Sequence, residues 1–428
     1  MLNRIFALEQ NNTTVRQEVF AGITTFLAMA YIVVVNPAIL SDAGMDFGAV
    51  FVATCLAAAL GSLIMGLYAN YPIAQAPGMG QNAFFAYGIV LGMGISWQIA
   101  LGAVFIAGLI FLVLSVLPIR EWLINSIPTS LKLGMSAGIG LFLGVIALTG
   151  SKVIIDNPAT LISLGDLTEL PALLMLLGFM LIAGLTSRGV VGAVLIGIIV
   201  ITLIAWTLGE TTFDGIVSMP PDPSALLELD IKGALEWSMV TVILTLLIVD
   251  IFDTAGTLVG VANQANMLDE KGRLPRLKKA LLADSSATTA GALLGTSPTT
   301  SYIESAAGVQ AGGRTGLTAV TTAALFLACL FIAPVAKGIP SFATGAALLF
   351  VACLMIRSIS SLDWNDITES APAVIAMLGM PLSYSIADGI GLGFIAYFII
   401  KLLAGKNKDC PPAVIIISAI FILKFTFL

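Results

Sequence analysis

Long apolar stretches follow one another through almost the whole chain of 428 residues. A helix needs about 20 apolar residues to cross the hydrocarbon core of a bilayer. Windows of that size predict fourteen spans in two sets of seven, separated by a polar interval at 208–236. A last apolar stretch, 411–428, is long enough to span the membrane or could lie in its interface. The predicted spans are 19–39, 47–68, 76–92, 97–117, 131–150, 169–186, 189–207, 238–261, 279–296, 298–312, 316–336, 341–357, 371–386 and 388–404.

The composition supports an integral membrane protein. Hydrophobic residues make up 58% of the sequence and charged residues only 10%, whereas a soluble domain is about a quarter charged. The chain has no histidine, which removes histidine-based metal sites and Ser-His-Asp catalysis. No extended basic run indicates a nucleic-acid surface, and we predict no metal and no organic cofactor. The cysteines are scattered without paired spacing, as is typical of packing residues: Cys55, Cys329, Cys353 and Cys410.

Positive charge indicates the orientation, because cytoplasmic loops carry an excess of lysine and arginine. Arg4 and Arg16 place the N-terminus in the cytoplasm, and the first 18 residues are too polar for a signal-peptide core. The 208–236 interval has six acids and only Lys232 as a cation, so it is expected outside. We therefore predict a multi-pass protein of the cell inner membrane. Cations on the predicted inner side are Arg120, Lys132, Arg188, Lys271, Arg273, Arg276, Lys278, Lys279, Arg314 and Arg357.

The two sets of spans resemble each other in sequence. CLAAALGSLIMG parallels SSATTAGALLG, and each precedes a short broken segment with proline at its second position, APGMGQNAFFAYG or SPTTSYIESAAGV. A long apolar span, two prolines and a small-residue helix follow in both halves; the prolines are Pro118 and Pro128, then Pro334 and Pro340. Because the second set starts on the opposite side, we predict inverted repeats. Their bounds are 1–207 and 237–404, with 208–236 as connecting loop and 405–428 as a C-terminal apolar segment.

The broken third and tenth segments are the expected location of a substrate site. Gly/Pro-interrupted segments at matching positions of two repeats mark the binding site of many transporters. Non-helical backbone at membrane depth is tolerated only where protein or a water-lined cavity satisfies it. The alternative is a pair of proline-kinked structural helices. The predicted fold is an all-α membrane protein with 14 transmembrane segments in a 7+7 inverted arrangement.

Acidic residues occur where lipid would otherwise surround the chain. Asp250 and Asp253 are three positions apart and lie on one face of a helix, and Glu304 lies in the second broken segment. An acid at the bilayer centre costs about 2.5–3.5 kcal/mol or more, and few cations are available at that depth, so structural salt bridges are the weaker explanation. We interpret the three carboxylates as shared between substrate recognition and proton binding. Asn82, in the first broken segment, offers both a donor and an acceptor for the edge of a base.

The sequence leaves the roles of several other polar and aromatic residues open. Thr257 could extend the polar helix face or only pack. Phe84 and Phe85 could stack on a planar ring or belong to the core. Asp284 could act in coupling or be a solvated or paired helix end. Thr299, Thr300 and Ser301 could line the second broken segment or merely cap its half-helix. Thr24 and Thr25 in the first span are similarly ambiguous.

Four motifs together resemble those of the AzgA-type purine permeases, the adenine/guanine/hypoxanthine branch related to the nucleobase/ascorbate transporters. They are RQEVFAGITTFLAMAYIVVVNPAIL (16–40), APGMGQNAFFAY (76–87), DIFDTAGTLVG (250–260) and TSPTTSYIESAAGV (296–309). The resemblance covers essentially the whole chain. It implies proton symport of purine bases, with protons as the only coupling ion. It also implies a core domain from segments 1–4 and 8–11, a gate domain from segments 5–7 and 12–14, elevator-like movement of the core, and a homodimer formed through the gate.

The resemblance also implies roles for individual residues. Asp253 and Glu304 match the two acids that contact the base in the related uracil permease, while Asn82 and Asp250 match residues of the AzgA branch. Thr257 stands where the uracil permease has a histidine, so the proton wiring of that relative cannot be transferred. The predicted substrate-binding residues are Asn82, Phe84, Asp250, Asp253, Thr257, Thr300, Ser301 and Glu304. The predicted proton-coupling residues are Asp250, Asp253 and Glu304.

Two other classes of function are weaker. A channel or anion transporter of the same architecture would not need several buried carboxylates, which repel an anion and cost desolvation. A membrane-embedded enzyme would need a nucleophile–base pair or metal ligands, which only the Asp250–Asp253 pair imitates. The sequence leaves open which of adenine, guanine and hypoxanthine is preferred.

Overall fold

The computed structural model describes residues 2–117, 127–265, 267–269 and 274–427. Four residues used in the sequence predictions lie outside this part of the chain: Pro118, Arg120, Lys271 and Arg273. The first helices are α1 (Leu2–Phe6), α2 (Val15–Met29), α3 (Ile32–Asp42), α4 (Phe47–Ile64), α5 (Met79–Ala83), α6 (Trp97–Val116), α7 (Thr129–Gly150), α8 (Leu170–Ser187) and α9 (Ala193–Thr207). The remaining helices are α10 (Ile231–Ala234), α11 (Val240–Gln264), α12 (Leu277–Leu294), α13 (Ser305–Gln310), α14 (Gly316–Cys329), α15 (Ala333–Lys337), α16 (Ser341–Ile356), α17 (Ile367–Ser383), α18 (Ile386–Leu403) and α19 (Pro412–Phe427).

Most of these helices belong to a multi-pass membrane protein. In the described residues, nine helical stretches are long and apolar enough to cross a bilayer, and α9, α17 and α19 are shorter apolar helices. Large apolar side chains such as Phe20, Leu203 and Leu423 are exposed on their outer faces. Helices suit this environment because every backbone polar group inside lipid must be satisfied within the protein.

Several of the predicted segments differ from simple α-helices. The first predicted span is divided between α2 and α3, with Tyr31 at the junction. The second span ends in a π-helical turn, Met65–Ala69, and a longer π-helical stretch, Phe84–Leu91, continues α5. Both broken segments contain a short strand before their helix, so the fold is mostly helical with short strands at the breaks.

In the part of the chain that the structure describes, four strands form two antiparallel pairs. Strands β1 (Gln75–Pro77) and β4 (Thr299–Ser301) pair with the register Gln75↔Ser301, Ala76↔Thr300 and Pro77↔Thr299. Strands β2 (Ile154–Asn157) and β3 (Leu161–Leu164) form a hairpin between α7 and α8. The β1–β4 pair is fully buried, and its ladder satisfies backbone groups that neither broken segment could satisfy alone. Because the pair is antiparallel, α5 follows β1 at one end of it and α13 follows β4 at the other end.

The helices pack in two groups. Helices α2, α4, α6, α12 and α14 pack on one another, with α2 against α14 and α6 against α12. Helices α7, α8, α9, α16, α17 and α18 form the second group, in which α7 contacts α16, α17 and α18. Small residues permit close approach between these helices; an added Cβ at Gly134 of α7 would lie 2.6 Å from the carbonyl oxygen of Ala373.

The C-terminal helix α19 runs antiparallel to α18 along its whole length. The Ser418 hydroxyl donates to the carbonyl oxygen of Phe394 at 2.9 Å. The Lys424 ammonium pairs with the Asp388 carboxylate at 2.6 Å. Between them, Gly391 faces the ring of Phe421, where an added Cβ would lie 2.4 Å from a ring atom. This hairpin places the stretch that the sequence left undecided alongside a membrane-spanning helix.

We therefore expect residues at the two ends of α19 to lie on opposite membrane faces. At 1.5 Å per residue, its 16 residues reach about 24 Å. In a background with the native cysteines replaced by alanine, Lys408→Cys and Thr426→Cys should react with a membrane-impermeant thiol reagent from opposite sides of oriented vesicles. Reaction of both cysteines from the same side would place α19 in the interface instead.

Candidate functional site

A cavity lies where the two broken segments meet α11. Its volume is about 90 Å³, and it has an open mouth. Its walls come from the α2–α3 junction, the start of α5, α11, the segment from β4 to α13, and α16. The lining residues are Tyr31, Gly78, Met79, Gly80, Asp253, Thr257, Thr300, Ser301, Tyr302, Ile303, Glu304, Val351 and Met355.

Two carboxylates face this cavity. Asp253 is exposed to it from α11, and the Thr300 side chain interacts with its carboxylate. Glu304 precedes the first residue of α13, and its Oε1 accepts a hydrogen bond of 2.6 Å from the Tyr31 hydroxyl. Thr257 lies one turn beyond Asp253 on the same face of α11. The cavity therefore offers carboxylate acceptors and hydroxyl groups from several distant parts of the chain.

Five of the eight predicted substrate residues line the cavity: Asp253, Thr257, Thr300, Ser301 and Glu304. The other three, Asn82, Phe84 and Asp250, are buried outside its lining. Phe84 belongs to the hydrophobic core. An added Cβ at Gly88 would lie 2.7 Å from its ring, which shows how closely this part of the helix packs.

Asp250 and Asn82 lie in a polar layer behind the cavity. The Asp250 carboxylate accepts hydrogen bonds from the Gln81 amide at 3.1 Å and the Thr288 hydroxyl at 2.9 Å. The Ser297 hydroxyl donates to Asn82 Oδ1 at 2.5 Å. These contacts tie α11, α12 and the start of the second broken segment to α5, so both residues support the position of the first broken segment.

Asp284 is the centre of a second buried network in this layer. Its Oδ1 accepts from the Gln75 amide at 3.0 Å, and from the backbone N–H and hydroxyl of Ser301 at 2.8 and 2.7 Å. Its Oδ2 accepts from the Thr254 hydroxyl at 2.6 Å. The residue is completely buried, two turns into α12. The interpretation of Asp284 as a solvated helix end is therefore wrong, because the register of β1 and β4 brings its donors around it.

The acids of this region are not neutralised by cations. None of Asp250, Asp253, Asp284 and Glu304 forms an ion pair with any lysine or arginine of the described residues. Elsewhere the protein does provide such partners: the buried Lys401 ammonium lies 2.6 Å from the Glu369 carboxylate. The cavity and the layer behind it thus concentrate acids that depend on hydrogen bonds alone.

An ion pair just before α17, outside the membrane-spanning segments, lowers the pKa of an aspartate. Asp366 lies just before α17 and pairs with Lys406 at 2.8 Å. The Lys406 ammonium and the Thr368 hydroxyl hold the pKa of Asp366 well below its usual range. The pair is exposed, so it contributes little to stability.

Several buried polar atoms of the supporting layer have no protein partner in the described chain: Gln75 Oε1, Gln81 Oε1, Asn82 Nδ2 and Thr299 Oγ1. Unpaired buried polar groups are costly and uncommon. Each lies in or next to the paired strands and the start of α5. The region is therefore more polar than packing alone requires.

Sequence reasoning missed Tyr31, Gln75 and Tyr302. The Tyr302 hydroxyl donates to the carbonyl oxygen of Pro77 at 2.5 Å, which links the two broken segments. Gln75 could have been identified as a candidate because it is a polar residue within an apolar stretch. Tyr302 lies within the motif TSPTTSYIESAAGV, whereas Tyr31 resembles an ordinary aromatic residue of an apolar span.

The arrangement suits binding rather than covalent chemistry. Carboxylates and hydroxyls accept hydrogen bonds from a neutral ligand that carries N–H groups. Within the described residues, no group of three or more His, Cys, Asp or Glu side chains could hold a metal ion. An interrupted membrane segment beside a polar cavity is the arrangement of a secondary transporter.

The fold and site thus define a multi-pass membrane transporter rather than an enzyme. The chain belongs to the Xan_ur_permease group, described as the permease family, whose model matches residues 16–392. It is 48% identical to the adenine permease AdeP of Escherichia coli, over 100% of this chain and 96% of that protein. It is 43% identical to the guanine/hypoxanthine permease PbuO of Bacillus subtilis, over 99% of this chain and 100% of that protein.

Solved structures of more distant transporters share the fold. The transmembrane domain of the cyanobacterial bicarbonate transporter BicA has a TM-score of 0.63 at 16% identity, covering 87% of this chain and 97% of that one. The transporter SLC26A9 has a TM-score of 0.68 at 10% identity, covering 94% of this chain and 68% of that one. At this identity the likeness concerns architecture and not cargo.

The Asp284 network predicts an order of stabilities. Asp284→Ala removes all the acceptors and leaves buried donors unpaired, each of which costs about 1–3 kcal/mol. Asp284→Asn should destabilise less, because its oxygen can keep the Gln75 and Ser301 bonds while the Thr254 hydroxyl turns to accept. The midpoint of thermal unfolding in detergent should fall in the order wild type, Asn, Ala.

The matched control is Asp222→Ala, which removes an exposed acid of the 208–236 loop and should leave the midpoint unchanged. An unfolding midpoint of Asp284→Ala equal to that of the wild type would show that the network contributes nothing to stability.

Proposed function

We propose that the protein is a secondary active transporter that takes up purine nucleobases, adenine, guanine and/or hypoxanthine, by proton symport. One observation carries the proposal. Asp253 and Glu304 face the same cavity, at the point where two interrupted segments meet, and neither has a cationic partner among the described residues.

The chemistry of a purine base matches this site. A base is neutral, planar and rich in N–H donors, and a carboxylate that accepts such a donor forms a strong, charge-assisted hydrogen bond. The hydroxyls of Thr257, Thr300 and Ser301 can donate to ring nitrogens or to an oxo group. In this proposal the five lining residues contact the base, while Asn82, Phe84 and Asp250 support the first broken segment from behind.

The names of the relatives support the purine class. AdeP of Escherichia coli is named an adenine permease, and PbuO of Bacillus subtilis a guanine/hypoxanthine permease. Both align with nearly the full length of the chain, so a shared cargo class is a reasonable inference. Since both kinds of relative are similar to this chain at 43–48% identity, the identity does not decide which purine is preferred.

An anionic cargo is the competing proposal, because the structural neighbours include a bicarbonate transporter. Carboxylates without countercharges would repel an anion and add to its desolvation cost. The acids of the cavity therefore favour a neutral or protonated cargo.

Proton coupling is proposed from the same acids. Asp250, Asp253 and Glu304 lie at or behind the cavity and lack cationic partners, so a proton can neutralise them without breaking an ion pair. A carboxylate in a low-dielectric site favours its protonated form. Movement of a neutral site across the membrane costs less than movement of a charged one.

The proposed architecture is fourteen segments in two inverted repeats of seven, with a C-terminal helix. The antiparallel register of β1 and β4 supports the inverted relation. The two packing groups of helices support a core and a gate domain, and an elevator-like movement of the core is the proposed transport step. We further propose an inner-membrane homodimer with a cytoplasmic N-terminus.

Conservative changes of the two cavity acids test the site. Asp253→Asn and Glu304→Gln each remove an anionic acceptor while keeping its size. Loss of a hydrogen bond to a charged group costs about 1.5–3 kcal/mol, so uptake of labelled adenine, guanine or hypoxanthine should fall at least tenfold. The assay uses a strain without its own purine carriers, and membrane abundance is measured in parallel.

Glu228→Gln, an exposed acid in the 208–236 loop, is the matched control and should transport normally. Normal uptake by either cavity variant would contradict the assignment of its acid. Failure of the wild type to take up any of the three bases would contradict the cargo class.

The coupling ion is tested by removing the proton gradient. A protonophore should abolish accumulation of the base, because no other driving ion is proposed, and replacement of sodium by potassium should have no effect. The measurement is base accumulation in energised vesicles with a set pH difference. A strict sodium requirement would overturn the proton assignment and leave the cargo assignment standing.

A further inference from the structure

We infer that Tyr31 is a positioning residue of the substrate site, acting by fixing the orientation of the Glu304 carboxylate. Tyr31 occupies the junction between α2 and α3, is 1% exposed, and lines the cavity. Its hydroxyl donates to Glu304 Oε1 at 2.6 Å across 273 positions of sequence. The inference rests on the proposed function and adds to it a residue that no motif indicated.

The Tyr31 hydroxyl holds the Glu304 carboxylate from a distant segment of the chain. Glu304 occupies the position before α13, but its side chain does not cap that helix. A glutamate side chain loses rotamer freedom when it is fixed in one conformation. A ligand that had to order Glu304 on binding would therefore lose affinity. The Tyr31 bond orders the carboxylate beforehand and leaves further acceptor positions, of about four on a carboxylate, for the N–H groups of the cargo.

The two helices next to this bond pack directly against each other: α2, which precedes Tyr31, and α13, which follows Glu304. Helix α2 lies so close to α13 that an added Cβ at Gly308 would lie 2.0 Å from the Thr25 hydroxyl oxygen. One end of α2 is also fixed: the buried Glu18 carboxylate accepts from the backbone N–H groups of Arg314 and Thr315 at 2.9 and 3.1 Å. Since α2 and α13 cannot shift independently, the tyrosine hydroxyl keeps a constant place relative to Glu304.

The break in the first span gives Tyr31 this position. Helix α2 ends at Met29 and α3 begins at Ile32. Ala30 and Tyr31 keep right-handed helical backbone angles at this junction, and Tyr31 lines the cavity there. A tyrosine that served only as packing would not need its hydroxyl directed at the one carboxylate of the second broken segment.

Tyr31→Phe removes only the hydroxyl and is the decisive variant. The KM for uptake of the transported purine should rise about tenfold, since the cargo must then order the Glu304 side chain, and that loss of rotamer freedom is worth about one order of magnitude. The maximal rate per transporter in the membrane should stay within about twofold. KM does not depend on the amount of transporter, so it remains measurable even if the variant is less abundant.

Tyr87→Phe is the matched control. Tyr87 also donates to a carboxylate, Asp42, at 2.6 Å, but neither residue lines the cavity. It should leave KM unchanged. A purely structural role of Tyr31 would lower abundance or thermal stability and leave KM at the wild-type value, and that result would overturn the inference. Absence of purine uptake by the wild type would overturn the proposed function and the inference together, so the two failures are distinguishable.

Discussion

The structure depends on stabilising carboxylates in a membrane protein by hydrogen bonds, without cationic partners among the described residues. Asp250, Asp253, Asp284 and Glu304 have no cationic partners among the described residues, and each would be strongly unfavourable in hydrocarbon. Their stabilisation comes from oriented donors: hydroxyls, amides and the backbone N–H of Ser301. Those donors converge because two membrane segments are interrupted and pair as strands. The strand pair is therefore the feature that makes a polar interior possible at this place.

The polar interior has two parts, which differ in how fully their acids are hydrogen-bonded by the protein. In the supporting layer, Asp284 is saturated with donors and holds β4 against α11 and α12. At the cavity, Asp253 interacts with Thr300 and is otherwise exposed, so part of its carboxylate is available to a ligand. The contrast between a satisfied acid and an exposed one, a few residues apart in space, separates residues that maintain the fold from those available for recognition.

The sequence allowed prediction of features that arise from local patterns. Apolar windows predicted the long apolar helices of the described residues. Prolines and glycines predicted the interrupted segments, and acids in apolar stretches predicted Asp253 and Glu304, which line the cavity. It did not allow prediction of contacts between distant segments. The β1–β4 register, the burial of Asp284 and the Tyr31 bond to Glu304 each join residues from separate helices or segments. Likewise, α19 was recognisable as apolar, but its place beside α18 depends on Gly391, Ser418 and Lys424 meeting partners in another helix.

The same architecture serves transporters for very different cargo, as the likeness to BicA shows. The fold provides the interrupted segments and the cavity, and the side chains decide what can enter it. Free N–H groups at helix starts would suit an anion. In this chain carboxylates oppose that field: Asp253 lines the same cavity as the start of α5, and Glu304 directly precedes α13. A ligand must then satisfy acceptors and donors without adding negative charge beside these carboxylates, which suits a neutral base better than a small anion.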